Sequence, residues 1–175
     1  ELGFDAKELI IVADQSMSIA EALKTTFEIT QTSIQFIEFW AIKSQAISLL
    51  NLLEDKAALR EYAANHQVVD VVKSAPLANE TKVGAQDFIE ALRKITPRLY
   101  SIASSQSEVE EEVHLTVGLV QYQAGDASRQ GGASGFLAHG IDEGGEVKVF
   151  VEHNDNFRLP TSSETPVIMI GPGTG

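Results

Sequence analysis

The chain has 175 residues, 43% hydrophobic and 22% charged, the balance of an ordinary globular protein with one domain or two small ones. Its 25 acidic and 13 basic residues leave a formal net charge of −12, which argues against a nucleic-acid or anionic-membrane surface, since phosphate backbones are held by clustered Lys and Arg. It contains no cysteine, which excludes disulfides, thiolate metal sites and a Cys nucleophile.

Residues 8–13 are rich in Ile and Val and too short to span a bilayer. They read as a short buried strand, followed by a turn at Asp14, Gln15 and Ser16. Ser18 and Glu21 have the spacing of a capping box that opens a helix. From there to about residue 95 helix is expected to dominate. Ile34, Ile37, Phe39, Trp40 and Ile42 recur at near-helical spacing, as do Ile47, Leu50 and Leu53, then Leu59, Tyr62 and Ala63. These stripes, with Trp40, are the candidate core. The β-branched run Val68, Val69, Val71 and Val72 fits helix or strand by periodicity, and a short helix is expected. Pro76 breaks it, residues 79–84 form a polar loop, and an amphipathic helix over 85–94 must finish near Pro97.

The second half changes character, and the fold class expected for the whole is α+β. Residues 98–104, 113–122, 146–152 and 166–170 are predicted as strands. Val113, Leu115, Val117 and Leu119 alternate with His114, Thr116 and Gly118, the period of a half-buried strand. The acidic run ending at Glu112 reads as a solvated hairpin tip. Gly131-Gly132-Ala133-Ser134 reads as a tight turn, capped by Ser134, that opens a short helix. No secretory signal opens the chain, and a cytoplasmic protein is expected. The chain starts without Met and stops at Gly171-Pro172-Gly173-Thr174-Gly175, which reads as a fragment of something longer.

The chemistry concentrates in Arg98-Leu99-Tyr100-Ser101-Ile102-Ala103-Ser104-Ser105. Alternation in an extended chain sends Arg98 and Tyr100 to one face. A permanent cation beside an aromatic plate suits a ligand with both a phosphate and a flat ring. Gly131 to Ser134 is a second phosphate candidate, because glycine lets an anion approach bare backbone N–H groups. Together the two segments point to a dinucleotide held by its pyrophosphate. His66, His114, His139 and His153 lack zinc-helix spacing, and His153-Asn154-Asp155 reads as a polar turn. No metal site is expected, and the hydroxyls at Ser101, Ser104 and Ser105 sit in no nucleophile-elbow motif.

The succession Arg98 to Ser105, Thr116-Val117-Gly118, Gly131 to Ser134 and Gly171 to Gly175 resembles the ferredoxin–NADP reductase-like family. Residues 151–160 and 165–170 resemble its diflavin branch that serves sulfite reduction. The resemblance is tight from residue 96 onward and looser across the helical half. It implies a barrel strand and turn at 1–16, a helical connecting domain at 17–95, part of an antiparallel FAD-binding β-barrel at 96–165 and the start of an NADPH-binding domain at 166–175. It also implies FAD as cofactor here, with FMN and NADPH bound elsewhere in the parent. Arg98 would pair with the FAD pyrophosphate, Tyr100 would stack on the isoalloxazine, and Ser101 would act catalytically near flavin N5. Thr116, Val117 and Gly118 would line the flavin or ribityl side, with Tyr122 near the adenine half, and Leu99 would also belong to the cofactor-binding set. Gly131, Gly132, Ala133 and Ser134 would receive the pyrophosphate, and Thr30 and Ala64 would reach FAD from the helical half. Gly171, Pro172, Gly173 and Thr174 would contact NADPH. The implied partner is a haem and iron–sulfur subunit that reduces sulfite. A P450 or other haem acceptor, or a non-catalytic helical spacer role, are the alternatives.

Overall fold

The computed structural model describes residues 2–78, 81–124, 127–156 and 158–170. These fall into two units, Glu1–Pro97 with Ala124–Ala127, and Arg98–Gln123 with Ser128–Gly175.

The first unit starts with an antiparallel hairpin. Strand β1 (Leu9–Val12) pairs with β2 (Gln15–Ser18), Leu9 opposite Ser18 and Val12 opposite Gln15. Ala13 and Asp14 make the turn at φ 50° and 63°, the left-handed conformation that a two-residue hairpin loop requires. Gln15 and Ser16, expected in the turn, therefore belong to β2. The expected buried strand is half-buried instead: Ile10 and Val12 face the core, while Leu9 and Ile11 face outward. Gln86 closes the edge of β1 by accepting from the Ile11 N–H (2.9 Å) and donating to its carbonyl (3.1 Å).

Six helices follow: α1 (Ile19–Thr25), α2 (Ile34–Ser44), α3 (Ile47–Leu53), α4 (Lys56–Asn65), α5 (Val68–Ser74) and α6 (Ala85–Glu90). Ser18 caps α1 by accepting from the Glu21 N–H, as its spacing predicts. The β-branched run is helical in α5. Its first turn is closed by the Asp70 carboxylate, which accepts from the Gln67 N–H at 2.9 Å.

The core centres on α2, where Phe36, Ile37 and Trp40 are fully buried. Trp40 stacks on Phe36 with centroids 6.0 Å apart, and Phe88 from α6 meets both rings edge-on. The indole Nε1–H donates to the Ala75 carbonyl at 2.9 Å, satisfying the one polar atom of the side chain. Ile42 and Ile47, counted in the predicted apolar stripes, are exposed. Ile42 lies five residues after Ile37, well off the buried face at 3.6 residues per turn. Helix α6 ends at Glu90, short of the expected Lys94. Residues 93–95 instead pair with the loop after α1: Glu28 N–H donates to the Arg93 carbonyl, and Ile95 N–H to that of Thr26. Tertiary pairing has overridden local helix propensity there.

The second unit contains α7 (Gln106–Val109), α8 (Gly132–Gly135), a π-helical turn over Phe136–Gly140 and most of the paired strands β3 (Gln121–Ala124) and β4 (Ala127–Gln130), of which Ala124 and Ala127 are grouped with the first unit. Four strands were expected. Residues 98–104 and 113–120 meet in one antiparallel bridge, Ile102 with Leu115, while 146–152 and 166–170 form no strand among the described residues. An extended segment becomes a strand only where a neighbour completes its hydrogen-bond ladder. The alternation over 113–119 is not matched by burial, since Val113 and Leu115 are both exposed. The acidic tip carries one helical turn, α7, rather than a bare hairpin loop. The coarse α+β class holds, with helices and small antiparallel pairings, and no closed barrel forms among the described residues.

Candidate functional site

Three of the predicted segments in the second unit lie side by side. The bridge at Ile102 and Leu115, with the Ala103 N–H donating to the His114 carbonyl at 2.8 Å, sets the strip holding Arg98, Leu99, Tyr100 and Ser101 along the one holding Thr116, Val117 and Gly118. That second strip runs on to Val120, which is tied twice to the glycine-rich turn. Gly131 N–H donates to the Val120 carbonyl at 2.9 Å, and Val120 N–H donates to Ser134 Oγ at 3.1 Å. Arg98, Leu99, Ser101 and Thr116 are exposed, while Tyr100, Val117 and Gly118 are half-buried. Tyr122 stands on β3 and is 39% exposed.

Ser134 was expected to cap the helix. Gly131 is the N-cap of α8, and the buried Ser134 hydroxyl holds the neighbouring strip instead. Gly131 is required by space, its φ being an ordinary −63°. A Cβ there would come within 2.8 Å of Ser134 Oγ and 3.0 Å of Val120 Cβ. The turn is a cradle that a methyl group would fill. Gly132 and Ala133 continue it, and Gly171, Pro172, Gly173 and Thr174 lie outside the described residues.

In the first unit, Thr30 and Ala64 are carried by adjoining segments. The loop before α2 is pinned to the α4–α5 junction by Thr32 N–H donating to the His66 carbonyl (3.0 Å) and Val68 N–H to that of Ile29 (3.4 Å). The Glu28 carboxylate accepts from both the Thr30 N–H (2.7 Å) and the Thr30 hydroxyl (2.5 Å), which commits that hydroxyl proton to Glu28. Ala64 sits on α4 beside an open cleft of about 470 Å³ lined also by Gln31, Thr32, Ser33, Arg60 and Arg93. Sequence reading missed this cleft. Its usable signal was the polar run Thr30-Gln31-Thr32-Ser33 directly ahead of an apolar helix, an N-terminus signature.

Among the described residues no group of three His, Cys, Asp or Glu side chains could hold a metal ion. His153 lies in a local polar turn: Arg158 Nη2 can only donate, so Nδ1 accepts at 2.8 Å and Nε2–H donates to Asp155 at 2.6 Å. Both ring nitrogens are thereby engaged. No helix among the described residues is long and apolar enough to cross a membrane.

A family model described as FAD binding domain matches residues 12–136, more than half of the chain and inclusive of both the Arg98 strip and the glycine cradle. The chain belongs to the FAD-binding domain family. It is also similar to proteins named sulfite reductase (NADPH) flavoprotein alpha-component. It is 53% identical to the one from Vibrio parahaemolyticus over all 175 residues, and 52% and 50% identical to those from Salmonella typhimurium and Zymomonas mobilis over 174 residues. It spans 27% of the Vibrio protein and 28% of each of the other two. For a FAD-binding domain the second unit has suitable parts: an exposed guanidinium, a half-buried phenol ring and a glycine turn open to backbone approach.

Proposed function

We propose that this FAD-binding domain serves an NADPH-dependent diflavin reductase that passes electrons through FAD and FMN to a haem and iron–sulfur protein reducing sulfite to sulfide in the cytoplasm. The observation that carries the reading is the side-by-side placement of the Arg98, Thr116 and Gly131 segments within one unit. The names of the relatives support the choice of sulfite chemistry over a P450 or another haem acceptor.

FAD, when bound, supplies hydride acceptance and release of single electrons, and the chain's part is to bind and orient it. The Arg98 guanidinium would pair with the pyrophosphate, and Gly131, Gly132, Ala133 and Ser134 would receive it with their backbone N–H groups. Tyr100 offers its ring to the isoalloxazine. Ser101 would offer a hydroxyl to the reacting nitrogen, able to donate or accept. Leu99, Thr116, Val117 and Gly118 line the flavin side, and Tyr122 the adenine half. Thr30 and Ala64 would contact FAD as well. Residues 171–174 begin the NADPH-binding region, and the parent carries the FMN site.

Titrating the full chain with FAD, followed by flavin fluorescence and absorbance, tests the reading. Saturable binding with quenching is expected, weakened by roughly 1.5–3 kcal/mol in Arg98→Ala, the range for a charge-assisted contact. Tyr100→Ala should bind with less quenching. Absence of saturable binding, or an Arg98→Ala affinity equal to that of the unaltered chain, would overturn it.

A further inference from the structure

Several independent features converge on the cleft beside Ala64. Two guanidinium groups, Arg60 on α4 and Arg93 beyond α6, line it, and no lining residue is acidic, in a chain whose net charge is −12. Arg93 is held in place by its Nη2 donating to Gln31 Oε1 at 2.8 Å. Arg60 is exposed and makes no hydrogen bond or ion pair among the described residues.

The positive end of α2 opens into the same cleft. Its first N–H groups have no acceptor within the helix. Ser33 serves one of them, its Oγ accepting from Phe36 N–H at 3.1 Å, while its carbonyl accepts the first regular helix bond, from Ile37 N–H at 3.0 Å. Ile34 and Gln35 carry two more, and both residues line the cleft. No acidic residue in the first turn offsets the helix dipole. Finally, Thr32 lines the cleft while only 2% exposed, and its Oγ1 has no hydrogen-bond partner among the described residues. A buried hydroxyl left so is costly, and a ligand oxygen that Thr32 turned to meet would satisfy it.

We propose that this cleft is an anion site that takes a phosphoryl group of a nucleotide, with Arg60 and Arg93 as its cations and the α2 N-terminus as its backbone donor. The site lies wholly in the first unit and uses none of the residues assigned above to FAD except Ala64. The phosphoryl group can belong to FAD itself or to a separate phosphorylated ligand, and the two sources are separable by experiment.

The full chain is titrated calorimetrically with inorganic pyrophosphate. Saturable binding is expected, weakened about 10-fold or more in Arg60→Gln and largely kept in Arg60→Lys, with affinity falling as salt rises. Arg93→Gln should act in the same direction as Arg60→Gln. Because Arg93 also holds Gln31, Arg60→Gln, at an exposed side chain, is the deciding variant, with circular dichroism to confirm its fold. A parallel titration with FAD and with riboflavin identifies the source. Loss with FAD alone in Arg60→Gln assigns the cleft to the dinucleotide, whereas unchanged FAD affinity with lost pyrophosphate binding assigns it to a separate phosphorylated ligand. No saturable pyrophosphate binding, or binding undiminished in Arg60→Gln, overturns the proposal while leaving the FAD reading to its own Arg98→Ala test.

Discussion

Trp40 combines two roles that pull against each other, filling the centre of an apolar core and burying a polar N–H. The conflict is resolved by one bond to the Ala75 carbonyl. Trp40→Phe would keep much of the ring contact with Phe36 and Phe88 but leave that carbonyl without its donor. A loss of about 1–3 kcal/mol in urea unfolding is expected, the cost of a buried unsatisfied acceptor. At Gly131 the constraint is space rather than dihedral freedom. Gly131→Ala pushes a methyl group against Ser134 Oγ and Val120 Cβ, at separations that something must yield to. Overpacking of this kind costs about 1–3 kcal/mol. Amide exchange at Val120, whose N–H is held by Ser134, should accelerate in that variant.

At the scale of elements, caps were legible where a side chain could satisfy an N–H within its own turn. Ser18 before α1 was read correctly because its partner, Glu21, lies three residues on. Ser33 before α2 and Asp55 before α4 do the same work, Asp55 accepting from both the Ala57 and Ala58 N–H groups. Ser33→Ala should lower stability by about 0.5–2 kcal/mol in thermal or urea unfolding, since α2 carries the centre of the core. Where elements end was less legible. The end of α6 at Glu90 depends on residues 93–95 finding the loop after α1, 65 to 69 residues earlier in the chain, and no local pattern encodes that partner. The hairpin likewise took Gln15 and Ser16 from the predicted turn because Ala13 and Asp14 adopt positive φ, a choice that composition alone disfavours.

The two units differ in how far they bury their apolar residues. The first has a continuous cluster from Ile10 to Leu92 that includes every helix from α1 to α6. The second leaves Val149 (79%), Val151 (80%), Ile168 (89%) and Ile170 (87%) open to solvent. Extended apolar segments with unpaired edges bind apolar dyes and one another. The full chain should enhance the fluorescence of an apolar dye and scatter light increasingly with concentration, and Ile168→Lys with Ile170→Lys should reduce both. Equal scattering in the double variant would show that these segments are covered in solution. The self-contained core of the first unit also favours a scaffold contribution from its helices, whose melting should be indifferent to Arg98→Ala.

What the sequence by itself determined about this protein is what depends on near neighbours or on residue type. That covers the absence of thiol chemistry in this chain, the helical state of the stretch around Trp40 and of the Val68 run, and the ordered motifs from Arg98 to Ser134 that carry the resemblance to its family. Tertiary structure alone decided which extended segments became strands, because a ladder needs a partner that may lie anywhere in the chain. It also decided that Ser134 binds Val120 rather than capping a helix, and that Arg60, Arg93, Thr32 and the start of α2 share one cleft. Those four lie up to sixty-one residues apart, from Thr32 to Arg93, and have no common motif. Their meeting is produced by packing of α2 and α4 around the buried core, and charge converging in space leaves no trace in spacing along the chain.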